Sequence, residues 1–335
     1  MNIKRFDANS RVSVVTQVAR SIREQIEAGT YSSEAKLPSI NKYSREHNVA
    51  RDTIEKAYNS LKRQGYVTAV SGKGYFVRSK EKRKLQVLLI FNKLSYYKKV
   101  VFDAVVAALG THAQVDLQIH HYDPAHLADI IESNLGRYDH YVIMPHFFRD
   151  AEAGDQMLAI SKIPPDQLIL LDKRSPFMPH HKGVYQDFQH DIFNALALAS
   201  KKLVHYHRLN IVYPEHSHQP REIVMGVEAF CHVNGMGCSV IDKVEHSLLV
   251  PGSVFVVLTE TDLARLIKGI KDLGYTMGNE IGIISFNDTL FKELLDITVI
   301  STDFNEMGRS VAELIRENGS AAIANPFSLK IRGSL

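Results

Sequence analysis

From Val14 to Val77 the apolar positions recur first at helical and then at strand spacing. Val15, Val18, Ile22 and Ile26 form one stripe and predict a helix over 14–28, ended by Gly29. Leu37-Pro38-Ser39-Ile40 opens a short second helix, with Ser39 as a good N-cap and Pro38 setting a sharp entry. Ile54, Ala57, Tyr58 and Leu61 fall at i, i+3, i+4 and i+7 and predict a third helix over 51–64. Its opposite face carries Arg51, Asp52, Glu55, Lys56, Lys62 and Arg63, and Gly65 suits the left-handed position that ends it. Tyr66-Val67 and Tyr75-Phe76-Val77 read as strands around a Ser71-Gly72-Lys73-Gly74 turn. Two short helices followed by a hairpin make a winged helix-turn-helix, a form whose second helix can enter a major groove.

From Leu85 onward short apolar runs alternate with amphipathic stretches. Strands are predicted at 87–91, 115–119, 141–144, 168–171, 209–212, 254–258, 281–285 and 299–301. Helices are predicted near 98–109, 125–135, 189–204, 220–233, 261–273 and 305–317. This alternation implies an α/β body of parallel sheets covered by helices on both faces. The body is long for one sheet, so two lobes are expected, each with its own sheet, and a ligand in the crevice at the carboxyl ends of the strands. The expected division is a winged helix-turn-helix at 1–79, a charged linker at 80–84 and the two-lobed domain at 85–335. The run Ser79 to Lys84 reads equally as a solvated connector or as a phosphate contact.

Charge sharpens this division. Residues 1–84 hold 18 Lys and Arg against 8 Asp and Glu, a net of +10, whereas the whole chain carries only +3. The remainder is therefore −7, and a basic module on an acidic body is the footprint of nucleic-acid binding. A small structural domain with a solvated charged face is the bland alternative. Hydrophobic residues make up 45% and charged residues 23%, as in ordinary globular chains. No apolar run approaches the ~20 residues needed to span a bilayer, and the polar N-terminus has no signal-peptide core. A cytoplasmic chain with no membrane partner is expected. Cys231 and Cys238 make no CxxC pair and are expected to be small buried residues.

The residues from Val14 through Gly29, Leu37-Pro38-Ser39, Val49-Ala50-Arg51-Asp52-Thr53-Ile54, Leu61, Gly65 and Gly72-Lys73-Gly74-Tyr75-Phe76-Val77 together resemble the N-terminal domain of GntR-type bacterial transcription regulators. The sequence departs from that pattern at Ile40 and Asn41, where the family often has a Glu-Arg pair, at Ala50 instead of Ser, and at Glu55 where many members have Arg. The resemblance implies contact with double-stranded operator DNA through Ser39, Asn41, Lys42, Arg45, Arg51, Asp52, Thr53, Lys56 and Lys73.

The body resembles the effector domain of the lactose/galactose repressor family, itself similar to periplasmic sugar-binding proteins. Leu170-Leu171-Asp172-Lys173-Arg174, Arg221 ahead of Gly226, Val257 through Asp262 to Gly274-Tyr275, Glu280 through Asp288, Ile297-Thr298-Val299 and Met307-Gly308 carry the likeness. A GntR-type module on such a body resembles the arabinose-repressor type of architecture. The family usually has Asn-Asp where this chain has Thr259-Glu260, and Asp where Asn287 stands. The resemblance implies a homodimeric repressor of carbohydrate genes that senses a monosaccharide or sugar phosphate between its lobes.

A sugar site needs paired polar groups for adjacent hydroxyls and an aromatic face for the ring. Arg221 is matched to the family's ligand arginine. Thr259, Glu260, Asn287, Asp288, Asp172, Lys173 and His146 follow predicted strands, and Tyr96 and Tyr97 follow the first. His218 lies three residues before Arg221. A polar residue at a strand end is often only a turn former, which stands as the alternative for each. The histidine pairs 120/121, 180/181, 205/207 and 216/218 come with no HExxH or cysteine ligand set, so surface positions are expected, with no metal and no cofactor. No GxSxG elbow, P-loop or GxGxxG is present, and no enzyme is expected. A DNA-binding module fused to a sugar-processing enzyme, or a ligand-independent DNA binder, are the alternatives.

Overall fold

A computed structural model describes residues 6–7, 12–78, 84–148, 154, 158, 160–175, 178, 180–215, 217–317 and 319–335. The expected linker, apart from Lys84, lies outside the described residues, as does His216.

The N-terminal module is built from α1 (Val14–Glu27), α2 (Ile40–His47), α3 (Arg51–Arg63), β1 (Val67–Val70) and β2 (Gly74–Val77). Ser13 and Ser39 cap α1 and α2 by accepting from Thr16 N and Lys42 N. Ala50 opens α3 with no side-chain bond, and Asp52 in the first turn answers the helix dipole instead. Gly65 takes φ 77°, the left-handed value its place after α3 requires. Val18, Ile22, Ile54, Ala57, Tyr58 and Leu61 are fully buried, so the predicted stripes of α1 and α3 face each other. The Tyr58 hydroxyl donates to Pro38 O at 2.8 Å and ties α3 to the entry of α2. The strands β1 and β2 pair antiparallel from Val67↔Val77 to Val70↔Gly74.

The chain divides into two compact units. One comprises Met1–Gly183 with Gly308–Ala322 and holds the N-terminal module and the first lobe; the other comprises Val184–Met307 with Ile323–Leu335. The first lobe takes β3 (Leu85–Phe91), α4 (Tyr96–Leu109), β4 (Ala113–Ile119), α5 (Pro124–Asn134), β5 (His140–Ile143), β6 (Leu168–Asp172) and β7 (Gly183–Tyr185). The second takes α6 (Phe188–Leu198), α7 (Ser200–Leu203), β8 (Arg208–Val212), α8 (Glu222–Asn234), β9 (Gly237–Ile241), β10 (Ser253–Val257), α9 (Glu260–Asp272), β11 (Ile281–Phe286), α10 (Leu290–Leu294) and β12 (Thr298–Thr302). Then follow α11 (Phe304–Arg316), β13 (Ala322–Ala324) and β14 (Phe327–Lys330).

The sheet orders are β13-β7-β6-β5-β3-β4 and β14-β12-β11-β10-β8-β9. Strands β4, β3, β5 and β6 are parallel, as are β9, β8, β10, β11 and β12. The central strands are buried on both faces, which explains their unbroken apolar runs. In each lobe the second strand lies on one side of the first and the third on the other. This reversal places a switch point after β3 and β5, and another after β8 and β10.

Some expectations needed correction. Strands β7, β9, β13 and β14 add to those predicted, and β14 runs antiparallel to β12. The single helix expected over 189–204 is divided into α6 and α7 at Ala199. Cys231 is buried, but Cys238 is exposed, because β9 is an edge strand with one face open to solvent.

Candidate nucleic-acid and effector sites

The residues expected to meet DNA gather on the N-terminal module. Arg51 and Asp52 are exposed at the start of α3, Thr53 is half-buried beside them, and Lys56 pairs with Asp52 at 2.7 Å. Asn41, Lys42 and Arg45 are exposed on α2, and Lys42 reaches Glu46 at 3.8 Å. Ser39 serves first as the helix cap described above. Lys73 is exposed in the turn between β1 and β2, where its N–H donates to Val70 O at 2.9 Å. These surface pairs are worth little, so the cations remain available to phosphate.

In the first lobe, Asp172 ends β6 with φ 76°, at the carboxyl end of a buried strand. Lys98 Nζ donates to Asp172 Oδ2 at 2.7 Å, and His146 Nε2 lies 3.0 Å from the same oxygen. All three side chains are about one-tenth exposed or less. Burial pushes the Asp172 carboxyl up, but Lys98 and His146 hold it below the ordinary carboxylate range. Burial drives the His146 imidazole down against the pull of Asp172. A neutral ring beside a carboxylate carries its proton on the facing nitrogen, so Nε2 donates. Lys173 is half-buried nearby. Asn92, after β3, is buried, and its Oδ1 has no partner among the described residues. Tyr96 is exposed and stacks edge-on with half-buried Tyr97 at 5.8 Å.

In the second lobe, Arg221 is exposed at the N-cap of α8, and His218 is exposed just before it. Gly226, five residues on, packs where a Cβ would lie 2.6 Å from Gln189 O, so α6 and α8 meet closely there. Thr259 caps α9: its Oγ1 accepts from Asp262 N and donates to Asp262 Oδ2. Glu260 pairs with Lys292 at 3.1 Å, and buried Lys292 Nζ also donates to Phe286 O and Asn287 O. Asn287 takes φ 64° after β11, a counterpart of Asp172 after β6, and its buried Oδ1 has no partner among the described residues. Asp288 is held by Arg332 through both oxygens at 3.0 Å and by Lys330 at 2.9 Å. Its carboxylate therefore anchors Lys330 of β14 and Arg332 just after it.

Lys98, Asn92 and Lys292 complete these clusters and escaped sequence reasoning. No local signal marked Lys98, because its neighbour Lys99 at the same helix start is exposed and pairs with exposed Asp103. Among the described residues no group of His, Cys, Asp and Glu could hold a metal ion. Nor is any helix there long and apolar enough to cross a membrane.

Comparison with known proteins bears on the N-terminal module and on the fold of the body. Residues 14–77 match the family described as bacterial regulatory proteins, gntR family. An uncharacterized HTH-type transcriptional regulator of Bacillus subtilis (strain 168), YurK, is 40% identical over 77 residues, 23% of this chain and 32% of YurK. The chain spans about a third of the length of the curated relatives it matches. Solved structures are similar to the body. The trehalose repressor from Escherichia coli superposes with a TM-score of 0.60 at 15% identity, over 74% of this chain and 100% of that one. The lac repressor dimer bound to operator and the anti-inducer ONPF gives 0.60 at 14% identity, over 76% and 94%. At such identities the shared property is the fold, a two-lobed periplasmic-binding-protein-like body.

Proposed function

We propose that this chain is a bacterial transcription regulator, a repressor of carbohydrate-utilisation genes acting in the cytoplasm. The observation that carries the proposal is the N-terminal winged helix, matched over residues 14–77 to the gntR family, with Arg51, Lys56 and Lys73 open to solvent. Residues 1–79 bind double-stranded operator DNA, and residues 85–335 sense a small effector. The polar groups at the carboxyl ends of the strands support a monosaccharide or sugar phosphate, with Arg221, Asn287, Asp172 and His146 among its contacts. Solved structures of this fold include the trehalose repressor, which favours a sugar. The body binds without turnover.

A homodimer is part of the proposal. On α10 the usual pattern is inverted: Lys292 is buried, while Leu290, Phe291 and Leu294 are 72%, 78% and 80% exposed. An apolar patch of this kind on an otherwise polar surface suits a second copy of the same chain. Pairing sets the spacing of two winged helices on two operator half-sites, and an effector that changes this spacing changes affinity.

The test is a salt titration of operator binding together with a thermal-shift screen of monosaccharides and sugar phosphates. Log affinity should fall by about 0.9 per phosphate contact for each unit of log salt. A nearly flat salt dependence removes the DNA assignment. A screen with no stabilising sugar removes the effector, and catalytic consumption of one favours the enzyme alternative.

A further inference from the structure

Polar contacts join the N-terminal module to the first lobe among the described residues. Arg23 of α1 is only 5% exposed, and its guanidinium donates to Gly136 O at 2.8 Å. Tyr66, 3% exposed, donates to Glu27 at 2.6 Å and lies 3.3 Å from Asp139 Oδ1. These contacts set the second half of α3 beside the turn that joins α5 to β5. Along this seam runs a crevice of about 370 Å³. Lys56, Asn59, Arg63 and Gln64 line it from α3, and Ser133 and Arg137 from the lobe.

The lining holds three cations and no carboxylate. Lys56 is tied from outside by Asp52. Arg137 is oriented by Asn134 Oδ1 at 3.0 Å and by the Tyr138 ring, 6.0 Å from its guanidinium carbon. Arg63 is exposed and makes no ion pair among the described residues. Lys56, Asn59 and Arg63 share the outward face of α3, the face that begins at Asp52 beside Arg51.

We propose that this crevice holds a phosphate group, and that the source is the operator backbone flanking the bases met by the start of α3. Two planar guanidinium forks and a lysine match phosphate geometry, and Asn59, Gln64 and Ser133 supply neutral donors. The body thus contributes Arg137 to DNA binding, which a winged helix acting alone would not require. The proposal rests on the DNA-binding function given above. A free phosphorylated small molecule presents the same group, and the experiment separates the two.

The full-length protein and its Arg137→Ala and Arg137→Lys variants are titrated with operator and random duplex across a salt series. Thermal stability is followed in parallel with inorganic phosphate, using chloride of equal ionic strength as control. Arg137→Ala is expected to weaken both duplexes three- to ten-fold and to lower the salt slope by about 0.9, with Arg137→Lys restoring the slope. An unchanged slope with a phosphate-specific stabilisation lost in Arg137→Ala keeps the phosphate site but assigns it to a small molecule. An unchanged slope with no phosphate response overturns the proposal. Should the wild type bind no duplex, the DNA-binding function itself fails, and the inorganic phosphate arm still decides the crevice. Arg137 is exposed, so its replacement leaves the fold intact for these measurements.

Discussion

The Tyr66 hydroxyl stands between Glu27 of α1 at 2.6 Å and Asp139 of the first lobe at 3.3 Å. Asp139 in turn accepts from Gln86 N at 2.8 Å, where β3 begins. One phenol therefore links the DNA-binding module to the sheet of the lobe. Removing it with Tyr66→Phe takes away the hydroxyl that bridges the two carboxylates. Stability should fall by about 1 kcal/mol, the net worth of such a bond. Urea unfolding of the two proteins checks this, and equal midpoints would show the linkage to be idle.

Arg51 lies at the N-terminal end of α3, where base edges come within reach, and arginine takes guanine bidentately. Arg51→Ala should cost about 1–3 kcal/mol and relax preference at one position in each half-site. Lys73→Ala, in the wing turn, should weaken all sequences alike. Selection from a randomised operator pool distinguishes these, and an unchanged preference in Arg51→Ala would mean that α3 is not the base-contacting helix.

Arg221 is exposed at the start of α8 and distant in sequence from the winged helix. In the proposed effector site its loss would leave hydroxyls unpaired at about 1–3 kcal/mol, so Arg221→Ala should weaken the effector response ten-fold or more. Operator affinity without effector should remain near wild type. Paired titrations, operator alone and operator with the sugar found by screening, read both quantities.

His120 is fully buried, and burial pushes its pKa down to about 4. Its Nε2 lies 3.0 Å from Met144 O, so the neutral ring donates there. His146, His126 and His121 also press its pKa downward. In the unfolded chain the imidazole protonates near 6.5, whereas the folded protein refuses the proton until about pH 4. This stability is complete above pH 6.5 and declines as pH falls through the window, by at most about 1.4 kcal/mol per pH unit. In His120→Gln the acid limb of a stability–pH profile should be shallower by roughly one proton. An identical limb would place the proton uptake elsewhere.

Phe291 and Leu294 are the most exposed side chains of the α10 patch. Replacing both with serine should convert the proposed homodimer to monomer in sedimentation equilibrium while circular dichroism stays unchanged. A persistent dimer would move the interface to another face.

Most of the architecture could be read from local pattern. The α3 stripe of Ile54, Ala57, Tyr58 and Leu61 is buried as its spacing required, and the central strands follow their apolar runs. What escaped depended on distant partners. Lys98 is buried because Asp172, 74 residues later, receives it. Lys292 turns inward because Phe286 O, Asn287 O and Glu260 meet it, which sends three apolar neighbours outward. The edge strand β14 alternates half-buried and exposed positions and ends in a lysine, so its short run gave no core signal. Asp288 was expected to meet a ligand, but Arg332, 44 residues further on, already occupies both of its oxygens.

The short strand β5 has Asp139 immediately before it and His146 just beyond it, roughly 20 Å apart at about 3.3 Å per residue. One end touches Tyr66 of the DNA-binding module, and the other touches Asp172. Should a ligand that shifts His146 also perturb the Tyr66 contact, reciprocity requires that DNA alter the affinity for that ligand by the same factor. The Tyr66–Asp139 contact is a single hydrogen bond worth about 1 kcal/mol, or roughly five-fold in affinity. A larger range would draw on the bond from Arg23 to Gly136 O as well, or on the proposed pairing of two chains.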